Sequence, residues 1–278
     1  MSSLPAAEKK AARALLAKFP SVGLATVAEF AEAAGTSAPT ILRFVTRLGF
    51  NSYPRFQRAL HQEIESSLLS PLEKSVSPDR ATVGESRLGQ MFTQIEENLR
   101  ATLQSVPESE FQAACRLLSD PKASCYFLGG RFTDSIATYM AAHLRIVRPG
   151  VRRFQGQVST WKDQLLDIKA GDVVVIFDIR RYQADLLEAA EVIAARKARI
   201  VLVTDCWLSP ISRCARIVLP CAIDSHRTWD SNVGLLGLVE ALLDQVTQAN
   251  WAQSKQRIQA LEGLRWEPGE RLGAQRDG

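Results

Sequence analysis

The residues with the most chemical reach lie in two places. Near the N-terminal end Thr40, Arg43 and Arg47 recur at three- and four-residue spacing. On a helix, at about 100° per residue, they share an arc of roughly 60°; Ile41, Val45 and Leu48 share another about 120° away, with Phe44 at its edge. One face is then hydroxyl and guanidinium, the other aliphatic. A guanidinium grips guanine or a phosphate oxygen and a hydroxyl reaches bases or backbone, so the polar face suits DNA; an ordinary solvated basic face is the competing reading. The second place is a set of short stretches that each follow an apolar run: Gly129-Gly130-Arg131-Phe132-Thr133, Asp178-Ile179-Arg180-Arg181-Tyr182, Thr204-Asp205 and Asp224-Ser225-His226. Glycine, hydroxyl and arginine at such turns can hold an anion. Asp178 opposes one, and Arg180 and Arg181 have the alternative of pairing with Asp178 and Asp185 or lining a subunit contact.

Other reactive residue types form no constellation. His61, His143 and His226 are far apart in sequence, which leaves no metal-ligand spacing. Glu240 lies in a long apolar pattern and is expected to be solvated or salt-bridged rather than catalytic. Cys115, Cys125, Cys206, Cys214 and Cys221 are odd in number and never spaced C-x-x-C, so they are expected as reduced, mostly buried thiols, Cys206 included. No catalytic set and no cofactor is expected.

These residues need elements to position them. A chain of 278 residues, 46% hydrophobic and 23% charged, has room for two globular domains and excludes disordered and disulfide-scaffold classes. No apolar run approaches the ~20 residues of a membrane span, and the N-terminal residues lack the apolar core of a secretory signal, so an intracellular protein is expected. The net charge of +4 is small, but residues 1–80 carry ten basic against seven acidic residues, which places most of the excess there.

Residues 1–70 read as four helices. Ser3, Pro5 and Glu8 open the first, which runs to about Lys18. Thr26 and Glu29 form a capping box for a second, Val27 to Ala34, stopped by Gly35. Ser37 caps a third of about eleven residues, with Pro39 in its first turn and Gly49 past its end; Ser52 and Pro54 open a fourth, to about Leu68. A short glycine-containing connection between the two central helices is helix-turn-helix geometry. Residues 71–87, with two prolines, a glycine, several Ser/Thr and no apolar periodicity, read as a linker. From about Leu88, apolar runs at Ser124–Leu128, Val173–Phe177, Ile200–Thr204 and Ile217–Pro220, with a weaker one at Val151–Phe154, alternate with helices at Thr133–Val147, Ser159–Ile168 and Tyr182–Arg196 and a short turn near Pro210–Cys214. A long helix from Thr228 to Gln248 closes the pattern. That alternation predicts a three-layer α/β domain with a mostly parallel five-stranded sheet over 88–250, ligands at the carboxyl ends of its strands, and a C-terminal helix and tail over 251–278.

The run TVAEFAEAAGTSAPTILRFVTRLGFNSYPRFQRAL resembles the N-terminal helix-turn-helix of RpiR-type bacterial transcriptional regulators, above all in Ser37-x-x-Thr40-x-x-Arg43-Phe44 and Leu48-Gly49-Phe50. The remainder resembles the sugar isomerase (SIS) domain that follows it in that family. The resemblance implies a DNA-contacting set of Thr36, Ser37, Thr40, Arg43, Arg47, Ser52, Tyr53 and Arg55. It also implies a ligand set of Gly129, Arg131, Thr133, Asp178, Arg180, Arg181, Thr204, Asp205 and Ser225. The family's Gly-x-Gly-x-Ser phosphate loop reads Gly129-Gly130-Arg131-Phe132-Thr133 here, with Arg131 in place of the second glycine. Its second loop, Ser-x-Ser-Gly-x-Thr, is replaced by Asp178-Ile179-Arg180-Arg181-Tyr182-Gln183, whereas Thr204-Asp205 and Ser209-Pro210-Ile211 are family-like. The implied partners are a double-stranded DNA operator, a small anionic effector such as a phosphosugar, and further copies of the chain in a homodimer or homotetramer, with no membrane. Two alternatives stay open: a sugar-phosphate isomerase-like enzyme, and a dimeric DNA-binding scaffold with a decayed ligand site.

Overall fold

The computed structural model describes residues 4–17, 21–68, 86–225 and 229–264, and the chain divides into two compact units, Met1–Ser77 and Pro78–Gly278. Ser3, Lys18, His226 and all but the last two residues of the expected linker lie outside the described residues.

The first unit is all helix: α1 Ala6–Ala17, α2 Ser21–Leu24, α3 Val27–Ala33, α4 Ala38–Arg47 and α5 Tyr53–Leu68. The short α2 was not foreseen. Thr26 and Glu29 form the expected capping box, the Thr26 hydroxyl accepting from Glu29 N (3.3 Å) and the Glu29 carboxylate from Thr26 N (2.8 Å). The turn from α3 to α4 closes on Gly35 at φ +59, with Gly35 N on Glu32 O (3.0 Å) and Thr36 N on Ala31 O (2.9 Å), so the last carbonyls of α3 are satisfied only because this residue tolerates positive φ. Gly49, at φ +94, repeats the device after α4, its N–H on Thr46 O and that of Phe50 on Val45 O. Ser37 makes no capping bond to the backbone; its hydroxyl lies 2.9 Å from that of Thr40.

Phe30, Ile41, Phe44, Val45, Tyr53 and Phe56 form the core of this unit. The expected aliphatic face of α4 needs one correction. Phe44 is fully in the core, whereas Leu48 is 45% exposed although its backbone is still helical and its N–H bonds Phe44 O.

The second unit has two helices before its sheet, α6 Arg87–Ser105 and α7 Glu108–Ser119, which the strand–helix alternation did not separate. There follow β1 Cys125–Gly129, α8 Asp134–Val147, β2 Val151–Arg153, α9 Val158–Leu165, β3 Val173–Asp178, α10 Ala184–Ala195, β4 Arg199–Asp205, a 3-10 turn Pro210–Arg213, β5 Ile217–Cys221, α11 Val233–Ala249 and α12 Trp251–Gly263. The sheet order is β2-β1-β3-β4-β5 and every pairing is parallel. Both faces are covered, as the continuously apolar β1, β3 and β4 require. On one face Leu128, Val174, Ile176, Ile200 and Leu202 meet Leu165 of α9 and Leu186 and Ile193 of α10. On the other, α8 and α11 pack over the strands, with α6 and α7 beside α11. Helix α12, expected as a separate C-terminal segment, packs on α8: Ser254 is buried and Arg257 donates to the carbonyls of Arg145 and Ile146. Cys115, Cys125 and Cys221 are buried as expected and Cys214 is half-buried, whereas Cys206 is exposed, a correction; none is in a disulfide, and burial pushes the Cys115 and Cys125 thiols up to about 11.

Replacing the capping hydroxyl tests the local account of the first unit. Thr26→Ala is expected to lower its unfolding free energy by about 1 kcal/mol, read by urea denaturation of the full chain. A midpoint equal to that of the parent protein counts against the capping box.

Candidate functional site

In the first unit the expected nucleic-acid residues divide. Arg43, Arg47, Ser37, Ser52 and Arg55 are exposed and Thr36 is half-buried. Thr40 is 4% exposed, its hydroxyl held between Ser37 and the Arg43 guanidinium (3.2 Å), so it positions Arg43 rather than facing outward. Tyr53 is also a correction: its ring is in the core beside Phe56, and its hydroxyl donates to Ala25 O (2.8 Å). Arg47 is committed as well, its Nε lying 2.7 Å from the carboxylate of Glu8, a residue of α1 that is 3% exposed. The outward stripe of α4 is therefore Pro39, Leu42, Arg43 and Thr46, at i, i+3, i+4 and i+7, with Arg47 at its edge. Leu42, 45% exposed, and Thr46 lie off the Thr40–Arg43–Arg47 arc that spacing alone points to, because Thr40 is turned inward.

In the second unit a cavity of about 490 Å³ opens where the loops after β1 and β3 meet the segment before α11. Arg131, Thr133, Asp178, Arg180 and Arg181 line it; of the other expected ligand residues, Gly129, Thr204, Asp205 and Ser225 do not. Gly129 is structural, since a Cβ there would stand 2.6 Å from the backbone of Asp134. Thr133 is buried, its hydroxyl donating to Phe177 O (2.7 Å) and accepting from Gly130 N (2.9 Å). The amide oxygen of Gln183 accepts from Arg131 N (2.6 Å) and fills the space beside Gly130. Two backbone donors of the loop after β1, Gly130 N and Arg131 N, are thus met by the chain itself.

The loop after β3 is closed in the same manner. Asp205 accepts from Arg180 N (2.5 Å), Tyr182 OH (2.7 Å) and Trp207 N (3.0 Å). The Arg180 guanidinium pairs with Asp230 and lies 4.6 Å over the Trp207 ring, so its partner is neither Asp178 nor Asp185. Ser209 donates its hydroxyl to Asp178, and Gln183 N lies 3.4 Å from the other carboxylate oxygen. Burial pushes the Asp178 carboxyl up to about 6 against these two bonds, and the Asp205 carboxyl also upward. Gly130, Phe132, Ile179 and Gln183 of the two loops also line it, and Trp229, Asp230 and Asn232, which were not anticipated, complete the lining. The sequence signal for the last three was Ser231-Asn232 before an apolar run, a start pattern that places α11 at Val233 rather than Thr228. Among the described residues no His/Cys/Asp/Glu cluster could hold a metal ion.

Comparison with known proteins agrees with both halves. Residues 1–67 match the helix-turn-helix domain of the rpiR family and residues 117–245 the SIS domain. This is the build of a ligand-responsive DNA-binding regulator. The chain belongs to the RpiR-type transcriptional regulators. It is 22% identical over 267 residues to the HTH-type transcriptional regulator HexR of Escherichia coli, covering 94% of this chain and 90% of the relative. In fold it is similar to the sugar isomerase domain of an RpiR transcription factor from Sphaerobacter thermophilus (TM-score 0.59, 24% identity, 65% of this chain and 100% of that one). It is also similar to the Vibrio vulnificus NanR protein complexed with ManNAc-6P (TM-score 0.54, 18% identity, 95% and 94%).

The buried carboxyl beside the cavity generates a pH signature. Because the folded-state value of Asp178 is raised from 3.8 to about 6, the folded state holds the proton more tightly, and stability falls as pH rises through that window. Asp178→Asn is expected to flatten this fall, on the order of 1–3 kcal/mol between about pH 4 and 6, in urea titrations at stepped pH. An unchanged slope in the variant assigns the effect elsewhere.

Proposed function

We propose that the chain is a cytoplasmic regulator that binds a double-stranded operator through α4 as a homodimer or homotetramer, and that a small anionic metabolite in the second unit's cavity sets its operator affinity. The outward stripe Pro39–Leu42–Arg43–Thr46, on the helix that follows the Gly35 turn, carries the reading. In it Arg43 addresses a base edge, Leu42 a thymine methyl and Thr46 a base or phosphate, while Thr36, Ser37, Ser52 and Arg55 supply phosphate contacts at the flanks. The effector is a sugar phosphate or a related acid, a reading supported by the ManNAc-6P held by the NanR protein.

Catalysis is not part of this proposal. Glu240, the carboxylate that an isomerase base would require, is exposed on α11, does not line the cavity and stands 3.5 Å from Tyr139 OH. A scaffold without effector is the second reading, favoured by the Gln183 amide seated on Arg131 N.

Selection of bound sequences from a random duplex library, with and without candidate metabolites, tests the whole. Inverted half-sites that disappear with one metabolite are expected; no enrichment rejects the operator, and enrichment indifferent to every metabolite favours the scaffold. Arg43→Ala is expected to weaken operator binding by about 1–3 kcal/mol and relax one base position, with stability unchanged. Arg47→Ala is expected to destabilise the first unit as well, since Glu8 is left buried and unpaired. Equal stability of the two variants would contradict the role given to that ion pair.

A further inference from the structure

Helix α6 turns polar side chains toward its own domain and leaves its bulkiest apolar ones outside. Asn98 and Thr102 are buried against α11 and the end of β5, the Asn98 amide donating to Asp224 O (2.6 Å) and the Thr102 hydroxyl accepting from Ala222 N (3.0 Å). Met91 and Ile95 are half-buried beside them. By contrast Leu88 is 68%, Phe92 58%, Leu99 41% and Leu103 79% exposed. At 100° per residue these four fall within an arc of about 60°, one stripe along the helix. The stripe widens onto α11, where Leu236 is exposed beside Gly237, the residue that Leu99 lies against. A helix that only roofed its own sheet would carry its leucines and phenylalanine inward.

The stripe is spaced 4, 7 and 4 residues, which reads the same from either end. An antiparallel contact about a twofold axis needs that property, because each residue must meet the one at the reversed place on a second copy. Two α6 helices so paired, centred between Ile95 and Glu96, set Leu88 against Leu103 and Phe92 against Leu99, each twice. The matched length is about 22 Å at 1.5 Å per residue. Glu96 and Arg100, both exposed, lie one turn apart on one flank, so each copy brings both signs of charge to the rim. Together the four apolar side chains expose on the order of 500 Å², at the upper end for the largest patch of a monomer. With Leu236 and the charged flank the face approaches the roughly 800 Å² that each partner of a stable dimer buries.

We infer that this face joins two copies of the chain, α6 packing antiparallel on α6 about a twofold axis. In the parallel sense Phe92 would meet Phe92, Arg100 would stand beside Arg100 and the helix dipoles would align; reversed, a phenyl ring meets a leucine and the dipoles oppose. This rests on the self-assembly proposed above and names its face and symmetry.

The test is sedimentation of the full chain over a concentration series, beside Leu88→Glu, Leu103→Arg and the double variant. Both side chains are mostly exposed, and each new charge suits the end of α6 at which it stands, so circular dichroism is expected to show the fold intact. The parent chain is expected to assemble as a dimer or tetramer. Each single variant is expected to raise the dissociation constant of the α6 contact by about tenfold or more, since a charge then faces a leucine. The double variant is expected to recover most of that loss, because each copy sets its acid against the other's base. A double variant weaker than either single one overturns the antiparallel pairing, since only a parallel contact puts like charges together. Single variants that assemble as the parent does overturn the face while upholding self-assembly through another surface. A monomeric parent overturns both, and assigns the stripe to another part of the same chain.

Discussion

A parallel sheet leaves a specific burden at its carboxyl edge. Where β1, β3 and β4 end, backbone groups run out of strand partners in a region covered by helices, and each costs free energy until something bonds to it. In this chain the bonds come from side chains of the same loops: Thr133 bridges Gly130 N and Phe177 O, Gln183 meets Arg131 N, Asp205 collects Arg180 N and Trp207 N, and Ser209 closes on Asp178. A loop that relied on a ligand for those bonds would be unsatisfied without it. Here these closures are made within the chain and need no ligand.

The first unit solves a comparable problem with charge. Glu8 is buried in α1 and Arg47 reaches it from the last turn of α4, where a cation also suits the helix dipole. A half-exposed guanidinium bonded to a buried carboxylate is worth little as net stability but is costly to break, because the carboxylate cannot regain water. The pair therefore fixes the orientation of α4 about its axis, and with it which residues face outward. Thr40 does the same on a smaller scale by holding Arg43.

Local rules carried the sequence reading far. The capping box at Thr26 and the stops at Gly35 and Gly49 rest on bonds between residues a few positions apart, and they stand as expected. The strands were legible because a doubly covered parallel strand must be apolar throughout. The strand order and register come from long-range pairing, and nothing within β1 alone says that β3 lies beside it. The site was legible as loops but not as contacts. Sequence offered Arg180 an anion, or Asp178 and Asp185, whereas its partner is Asp230, fifty residues on in the chain, and Tyr53 reads as a surface aromatic although its hydroxyl meets the carbonyl of Ala25. Leu48 shows a limit of periodicity itself: its backbone is still helical and it lies on the apolar arc, yet it is exposed, because a wheel gives a direction and not whether a neighbour lies there.

A ligand shifts operator affinity only through unequal binding to two states of the protein, and by linkage the operator must then shift ligand affinity by the same factor. The packing around the cavity says where such a difference has leverage. Asn232 is the residue immediately before α11, and α11 is fitted closely to α6: a Cβ at Gly234 would stand 2.5 Å from the Thr102 hydroxyl, and one at Gly237 2.9 Å from Leu99. Thr102 also holds Ala222 N, tying α6 to the end of β5. Helix α6 is the first described element after the segment that joins the units. A ligand that moved the segment before α11 would act on a helix that cannot shift without displacing its neighbour, because interfaces this close repack in discrete steps. A ligand that displaced Gln183 from Arg131 N would instead use its binding energy to reopen a satisfied loop, with no comparable packing line toward α6. Of the two modes, a shift of the segment before α11 is the one with a packing line to α6.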